Sequence, residues 1–442
     1  MPPNILYLHS HDTGRYVQPY GHAIPTPNIQ WLADQGVLFR NAFCAAPSCS
    51  GSRAALLTGR YCHSNGMIGL AHRGFALDDR EQLLSRTLAR AGYNTQLIGE
   101  QHVSDSPDDL GYHVVHQIPD TRVDSVAPAA IEALKGRMRE PFFLSVGFFE
   151  THRSFFAPSS VRDRVYSLPP TPSLPDTPEI REDVAAYKAS ARALDHGVGA
   201  VLNALHETGL DERTLVICTT DHGLAFPGAK ATLLDRGIGV MLIVRGPSFG
   251  GGRALDGLVS QLDVYPTICE LAGIERPPHL QGRSLLGLVR GQPGSERAAI
   301  FAELTYHAAY EPQRGVRTDR YKYIRRFDEY PGHVLPNCDD SPSKDAFIAH
   351  GWHRHRLPRE SLFDLFFDPG EARNMIDEPD YADVAADLRA RLERWMAETD
   401  DPLLDGPVPA PAGAAVNAQD QRSAEEPPFI VGADLVGAAT GL

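Results

Sequence analysis

The string Cys49-Ser50-Gly51-Ser52-Arg53-Ala54-Ala55-Leu56-Leu57-Thr58-Gly59-Arg60 brings a thiol and a guanidinium to what reads as a helix start. Ser50, Gly51 and Ser52 suit an N-terminus, Ala54 to Leu57 are good helix formers, and Gly59 ends the run. Cys49 then meets unpaired backbone N–H groups and the positive end of the helix dipole, which favour a thiolate or an anionic ligand. An isolated cysteine ordinarily fills space. This one is accompanied by polar residues at four apparent strand ends: His11-Asp12, Glu100 with His102, His152, and Asp221-His222. A strand-terminating Asp alone is more often a turn former. Taken together, His11, Asp12, Asp221 and His222 offer two carboxylates and two imidazoles, enough to surround one divalent cation. Four oxygens would suit Ca²⁺, whereas nitrogen ligands bring Mn²⁺ or Zn²⁺ into range. His11 has a second reading, as a structural residue pointing away from the cation.

Convergence of those groups requires a particular frame. Apolar strand patterns over residues 4–9, 37–43, 93–98, 142–149, 214–219 and 239–244 alternate with helical patterns over 26–35, 81–91, 183–206 and 263–271. That order predicts an α/β fold, a large mostly parallel sheet sandwiched by helices. Ligands bind such sheets beyond the carboxyl ends of the strands, where the polar pairs fall. The Pro-rich residues 157–178 read as a surface excursion, because the sheet pattern resumes after them. Beyond about residue 295 the texture changes to alternating strands at 317–327 and 362–367 and a charged amphipathic helix at 381–398, a smaller C-terminal α+β subdomain. From Pro402 the chain is rich in Pro, Ala and Gly and is expected to be extended or weakly ordered. The expected division is a catalytic α/β domain over 1–295, the subdomain over 296–401 and a tail over 402–442.

Acidic residues outnumber basic ones, 56 against 42, for a formal charge of −14. That balance argues against a nucleic-acid partner and offers no polybasic patch for a membrane. An anionic substrate remains compatible, since a local cluster of cations outweighs a distant acidic surface. No run approaches the roughly 20 apolar residues that span a bilayer, and no basic n-region precedes the first apolar run. The 6 cysteines are scattered without a C-x-x-C pair, which suits reduced thiols; the expected location is cytoplasmic.

The Cys49 string resembles the signature of type I sulfatases in the alkaline-phosphatase-like superfamily: Cys-x-Pro-x-Arg, four residues, then Thr-Gly-Arg or Thr-Gly-Lys. In that family the cysteine is oxidised to formylglycine by a formylglycine-generating enzyme. Cys49, Arg53, Thr58, Gly59 and Arg60 fit, and Gly51 stands where the family has Pro or Ala. The family's metal places are an Asp-Asp pair after the first strand and an Asp-Asn or Asp-His pair late in the sheet; Asp12, Asp221 and His222 match and His11 departs. His102 matches the histidine of a Gly-Lys-x-His motif in which Glu100 replaces a sulfate-binding lysine. His152 falls where the family has a histidine that protonates the leaving group, and Lys230 where it has a sulfate-contacting cation. Residues 25–70, with Arg40-Asn41-Ala42-Phe43 and Asn65-Gly66-Met67, are nearest in texture to the heparan N-sulfatase (sulfamidase) type.

The resemblance implies a metal-dependent hydrolase of a sulfate ester or sulfamate on a small molecule or saccharide. Cys49, Arg53, His102, His152 and Lys230 would be catalytic. His11, Asp12, Cys49, Asp221 and His222 would hold one divalent ion, Ca²⁺ by family and Mn²⁺ or Zn²⁺ by ligand type. Glu100 and His307 are assigned to the substrate side, with Thr305, Tyr306 and Tyr310 as further pocket residues on position alone. A phosphonate monoester or phosphodiester hydrolase with unmodified Cys49 is the alternative that His11, Glu100 and Gly51 keep open. A non-catalytic binding protein is a third reading, which the joint presence of Cys49, Arg53, His102, Asp221 and His222 opposes. Self-association into a homo-oligomer is left open.

Overall fold

All seven residues of strand β1 (Asn4–Ser10) are buried, as required of a strand covered on both faces. In this computed structural model, which describes residues 2–158, 163–164 and 167–432, β1 lies in the middle of an eight-stranded sheet. The other strands are β2 (Val37–Phe39), β3 (Ala42–Phe43), β4 (Asn94–Gly99), β5 (Val114–Val115), β6 (Phe142–Gly147), β7 (Thr214–Thr220), β8 (Leu242–Arg245), β9 (Arg253–Leu255), β10 (Val259–Ser260), β11 (Ile300–Tyr306), β12 (Tyr310–Arg317), β13 (Tyr321–Arg326), β14 (Glu360–Asp364), β15 (Ala415–Val416) and β16 (Phe429–Ile430). The large sheet runs β5-β4-β6-β1-β7-β8-β2-β9. β1 pairs in parallel with β6 and β7, and β4 in parallel with β6, so these four strands end along one edge. β8 runs antiparallel to both β7 and β2.

The two-residue period of β1 divides its side chains between two cores. Leu6 and Leu8 face the cluster that includes Ile29, Val126, Val198 and Val201, contributed by the helices Pro27–Gln35, Val123–Lys135 and Pro178–Glu207. Ile5 and Tyr7 face the opposite cluster with Ala54, Leu56, Leu57 and Ile268, from the helices Cys49–Thr58 and Val264–Ala272. The long helix begins at Pro178 behind the Thr177 cap, whose side chain accepts from the Ile180 amide. It tolerates Gly197 and Gly199 because a side chain at either would strike Val123 or Asn28.

The second sheet is antiparallel, in the order β11-β12-β13-β14, and the helix Ala382–Glu398 packs Leu388, Leu392 and Trp395 against Val316, Tyr323 and Leu362. Several local expectations are corrected. Residues 37–43 form two strands, β2 and β3, rather than one. The 81–91 helix is a turn at Arg80–Gln82, capped by Asp79, followed by the helix Leu84–Arg90 after an extended Leu83. Residues 317–327 are interrupted by a turn, in which the Thr318 amide donates to the Tyr321 carbonyl at 2.8 Å, before β13 begins. The 157–178 excursion includes 159–162 and 165–166, which lie outside the described residues. The stretch 402–432 packs down instead of trailing: Ala414 and Val416 are buried, and Arg73 donates to Asn417 Oδ1 at 2.7 Å. A few apolar anchors and one charged clasp suffice there, which mean composition does not register.

Candidate active site

The ends of β1 and β7 are tied directly. The Asp12 amide donates to Asp221 Oδ1 at 2.8 Å, the His222 amide donates to the same oxygen at 2.8 Å, and the Thr13 amide donates to Thr220 Oγ1 at 3.1 Å. Asp12 sits at φ +55° and His102 at +54°, left-handed conformations that cost a side chain about 1 kcal/mol and persist because their surroundings fix them. Asp12 and Asp221 thereby become buried neighbours.

The helix Cys49–Thr58 supplies the next layer. Arg53 lies one turn beyond Cys49, on the same face. Its guanidinium donates to Asp221 Oδ2 at 3.0 Å and to the Ser10 carbonyl at 3.0 Å, and meets His9 Nδ1 at 2.6 Å. Ser52 donates to the Asp221 carbonyl at 2.5 Å, so the helix start is clamped onto the strand ends. Cys49 Sγ stands 3.3 Å from His222 Nε2, which is 3.2 Å from Asp12 Oδ1. His11 Nδ1 faces both carboxylates, at 3.0 Å from Asp12 Oδ1 and 3.2 Å from Asp221 Oδ2.

One ligand atom each from His11, Asp12, Cys49 and Asp221 lies within 4.8 Å of the others, and all four residues are buried. Carboxylate oxygens and an imidazole nitrogen on a common focus fit a divalent cation. Electrostatics agrees with an anionic pair in a cationic frame. Burial favours neutral Asp12, yet Lys230, His152, His222 and His11 hold it well below the ordinary carboxylate range. Burial likewise raises Cys49, and Lys230, His11 and His222 outweigh it to bring the thiol well below its usual value.

On the outer side, Lys230 Nζ is 2.9 Å from Asp12 Oδ2 and 3.4 Å from His152 Nε2. His102 Nε2 meets His72 Nδ1 at 3.0 Å, and its ring centroid is 5.6 Å from that of His11. Glu100 accepts from Thr121 Oγ1 at 2.9 Å; burial opposes its ionisation, but His11, Arg53 and His102 keep its pKa lowered. His307 Nδ1 lies 3.2 Å from Ser48 Oγ, and burial followed by Lys230 pushes its pKa down to about 3, leaving it neutral. Every residue that the sequence nominated as catalytic or metal-binding is thus brought to one edge of the sheet. Of the further pocket residues, Thr305 accepts from Arg314, while Tyr306 and Tyr310 bond the backbone of Val408.

Sequence reasoning missed four participants. His9 backs Arg53, Gln261 Nε2 donates to the Thr220 carbonyl at 2.6 Å, His72 contacts His102, and Asp339 Oδ2 lies 3.1 Å from Lys230 Nζ. His9 was legible as a histidine near the end of an apolar strand. Asp339 follows a stretch without periodicity, and nothing in its neighbours marks it.

A sulfatase family model matches residues 3–274, and a model of the C-terminal region of N-sulphoglucosamine sulphohydrolase matches residues 228–345. Human N-sulphoglucosamine sulphohydrolase is 31% identical over 469 residues, covering 92% of this chain and 92% of that protein. An ulvan-active sulfatase of Formosa agariphila is 28% identical over 469 residues, covering 90% of this chain and 75% of its own length. Among solved structures, a 2-O GAG sulfatase superposes with TM-score 0.71 at 22% identity, covering 93% of this chain and 95% of that one. Another, BT4656 in complex with its substrate D-glucosamine-2-N,6-O-disulfate, superposes with TM-score 0.70 at 19% identity, covering 91% and 99%.

Proposed function

This chain belongs to the sulfatase family and is a sulfuric ester hydrolase, and from that premise we propose that it cleaves a saccharide sulfate ester or sulfamate through a formylglycine made from Cys49 by a formylglycine-generating enzyme. The observation that carries this reading is the seat of Cys49, in the first turn of its helix, 3.3 Å from His222 and beside the Asp12–Asp221 pair. One divalent cation would be held by His11, Asp12, Cys49, Asp221 and His222. Ca²⁺ is the family's ion, and the nitrogen donors also admit Mn²⁺ or Zn²⁺. When bound there, such a cation would supply positive charge that favours ionisation of a hydroxyl and reaction of an anionic group.

The chain's own groups divide the remaining work. Arg53, locked on Asp221, holds fixed positive charge where negative charge grows at sulfur. A hydroxyl of the formylglycine hydrate, ionised under the positive charge of Arg53 with its proton passing to water, attacks sulfur as the bond to the leaving oxygen or nitrogen breaks. His152, with Lys230 beside it, delivers a proton to that departing atom. His102 takes the proton from the second hydroxyl, so that the sulfated hydrate collapses to the aldehyde and releases sulfate. Neutral His307 offers a hydrogen bond to the substrate, and Glu100 keeps His11 and His102 in an ionic frame.

The alternative phosphonate monoester or phosphodiester hydrolase is not favoured, because the relatives that span most of the chain are sulfatases and a sulphohydrolase. The test is mass spectrometry of the Cys49 peptide together with release of sulfate from N-sulfoglucosamine and glucosamine 6-sulfate. A loss of about 18 Da at Cys49, with turnover that Cys49→Ala abolishes, is expected. An unmodified thiol in fully active protein would sink the formylglycine route.

A further inference from the structure

Asp339 takes no part in the steps above, yet it stands among them. Its side chain is 20% exposed, and Oδ2 lies 3.1 Å from Lys230 Nζ. Lys230 is therefore shared between Asp339 and Asp12, and His152 Nε2 sits 3.4 Å from the same ammonium. Asp339 Oδ1 accepts a hydrogen bond from Lys230 Nζ at 3.3 Å, whereas Oδ2, within ion-pair distance of the same ammonium, makes no hydrogen bond, and the side chain as a whole remains partly open.

The loop beneath it is held on three sides. Asn337 brackets Ala309, accepting from its amide at 2.8 Å and donating to its carbonyl at 3.3 Å. Lys344 donates to the Cys338 carbonyl at 2.8 Å and to Asp340 Oδ1 at 2.7 Å. Ser341 caps the helix Pro342–Ala349 that follows. The Asp339 carboxylate is thus preorganised rather than left to find its own place.

A fixed carboxylate inside an anion-binding site is a liability toward the sulfate itself, because like charges repel most strongly where water is excluded. It lies beside His152 and Lys230, the groups that serve the departing atom. An ionised carboxylate oxygen with a free lone pair accepts from O–H or N–H and offers nothing to an apolar group.

We infer that Asp339 is a specificity-determining residue, which accepts a hydrogen bond from a hydroxyl or amino group neighbouring the sulfated position of a saccharide leaving group. The inference rests on the hydrolase reading above and narrows it to polyhydroxylated leaving groups. A site built to pair a substrate donor rejects the analogue that lacks one, since its own buried polar atom is then left unpaired.

The experiment uses two matched pairs: N-sulfoglucosamine with cyclohexylsulfamate, and glucosamine 6-sulfate with cyclohexylmethyl sulfate. The glucosamine amine is less basic than cyclohexylamine, so the sulfamate pair carries an intrinsic leaving-group difference; that difference is the same for wild type and variant and cancels when the change in preference between them is read. Metal-loaded protein is expected to prefer at least one sugar to its cyclohexyl partner by about 100-fold in kcat/KM. Asp339→Asn and Asp339→Ser are expected to erase most of that preference, acting chiefly on KM, while the pH profile of kcat keeps its shape. Equal losses on both members of a pair, or a shifted pH profile, would show that Asp339 acts only through Lys230 and would overturn the inference. Absence of any preference in the unmutated protein overturns it without recourse to a variant. If no compound of the four is turned over, the proposed glucosamine sulfate and sulfamate substrates fail, and the inference about Asp339 falls with them, which is a different result from turnover without preference.

Discussion

Asp12 and Asp221, separated by more than two hundred residues in the chain, share a backbone-to-carboxylate hydrogen bond of 2.8 Å that sets their two side chains at one focus. The pair is balanced by Arg53, His11, His222 and Lys230 rather than by solvent. Asp221→Asn keeps an oxygen for the amides of Asp12 and His222 but leaves the buried Arg53 guanidinium without its counter-charge. Breaking one side of a buried ionic network costs about 3 kcal/mol. The variant is expected to unfold at lower denaturant even after treatment with a chelator, and to retain at least tenfold less metal by elemental analysis. Wild-type metal content in the variant would remove Asp221 from the ligand set.

Gly51 has a reason in the folded state that its departure from the family signature does not disclose. A methyl group there would meet Cys62 Sγ at 3.2 Å and Ala46 Cβ at 3.3 Å, and Cys62 already donates to the Gly51 carbonyl at 3.3 Å. In the first helical turn the propensity gain of Ala over Gly is small, so crowding prevails. Gly51→Ala is expected to lower stability by about 1 kcal/mol, read from urea unfolding, while bringing the segment nearer the family signature. Conversion of Cys49, read by peptide mass, is then expected to equal or exceed that of the wild type. Greater stability in the variant would show that the pocket around Cys62 is slack.

Stability is expected to fall with rising pH because of Glu311. This carboxylate is buried, accepts from Asn337 Nδ2 at 2.8 Å and from Gln313 Nε2 at 3.0 Å, and burial pushes its pKa up to about 7 against the opposing pull of Asn337 and Arg326. Between the unfolded value near 4.5 and about 7, the folded chain keeps a proton that the unfolded chain has released. The contribution is complete below that window, is lost as pH climbs through it, and is flat above. Its size is about 3 kcal/mol, because each tenfold difference in proton affinity between the folded and unfolded chain is worth about 1.4 kcal/mol. Glu311→Gln carries no proton to lose, so its unfolding free energy relative to wild type is expected to rise by about that amount between pH 5 and pH 8. A pH-independent difference between the two would place the titration elsewhere.

The sequence made the parallel half of the sheet readable because β1, β4, β6 and β7 are apolar runs that each end in polar residues, and a parallel sheet sends such ends to one edge. The Cys49 helix was equally legible from its glycine stop and its alanine-leucine run. What escaped was set by long-range packing. The antiparallel β8 is an apolar strand like its neighbours, and nothing in it records direction. Asp339 reaches Lys230 only because Asn337 and Lys344 fix its loop, contacts between segments with no pattern in common. The clasp between Arg314 and Asp401 that starts the 402–432 stretch is likewise invisible to composition.

His11 and Glu100 replace an aspartate and a lysine of the family pattern, so the chain has exchanged the signs of two charges within one site. The structure supports treating them as coupled: His11 Nδ1 faces Asp12 and Asp221, and His11 leads the charged groups that favour ionised Glu100. His11→Asp alone places a third carboxylate against Asp12 and Asp221 while Glu100 remains, which concentrates negative charge where water is scarce. Glu100→Lys alone adds an ammonium to a region that already holds Arg53, His11 and His102. Each single change is expected to lower the thermal midpoint of chelator-treated protein. The double variant restores the family's arrangement of signs and is expected to recover about 1–2 kcal/mol beyond the sum of the singles, a coupling typical of residues in one charged network. Additive losses would show that the two positions sense the site independently, and that the exchange of signs is two separate events rather than one compensated change.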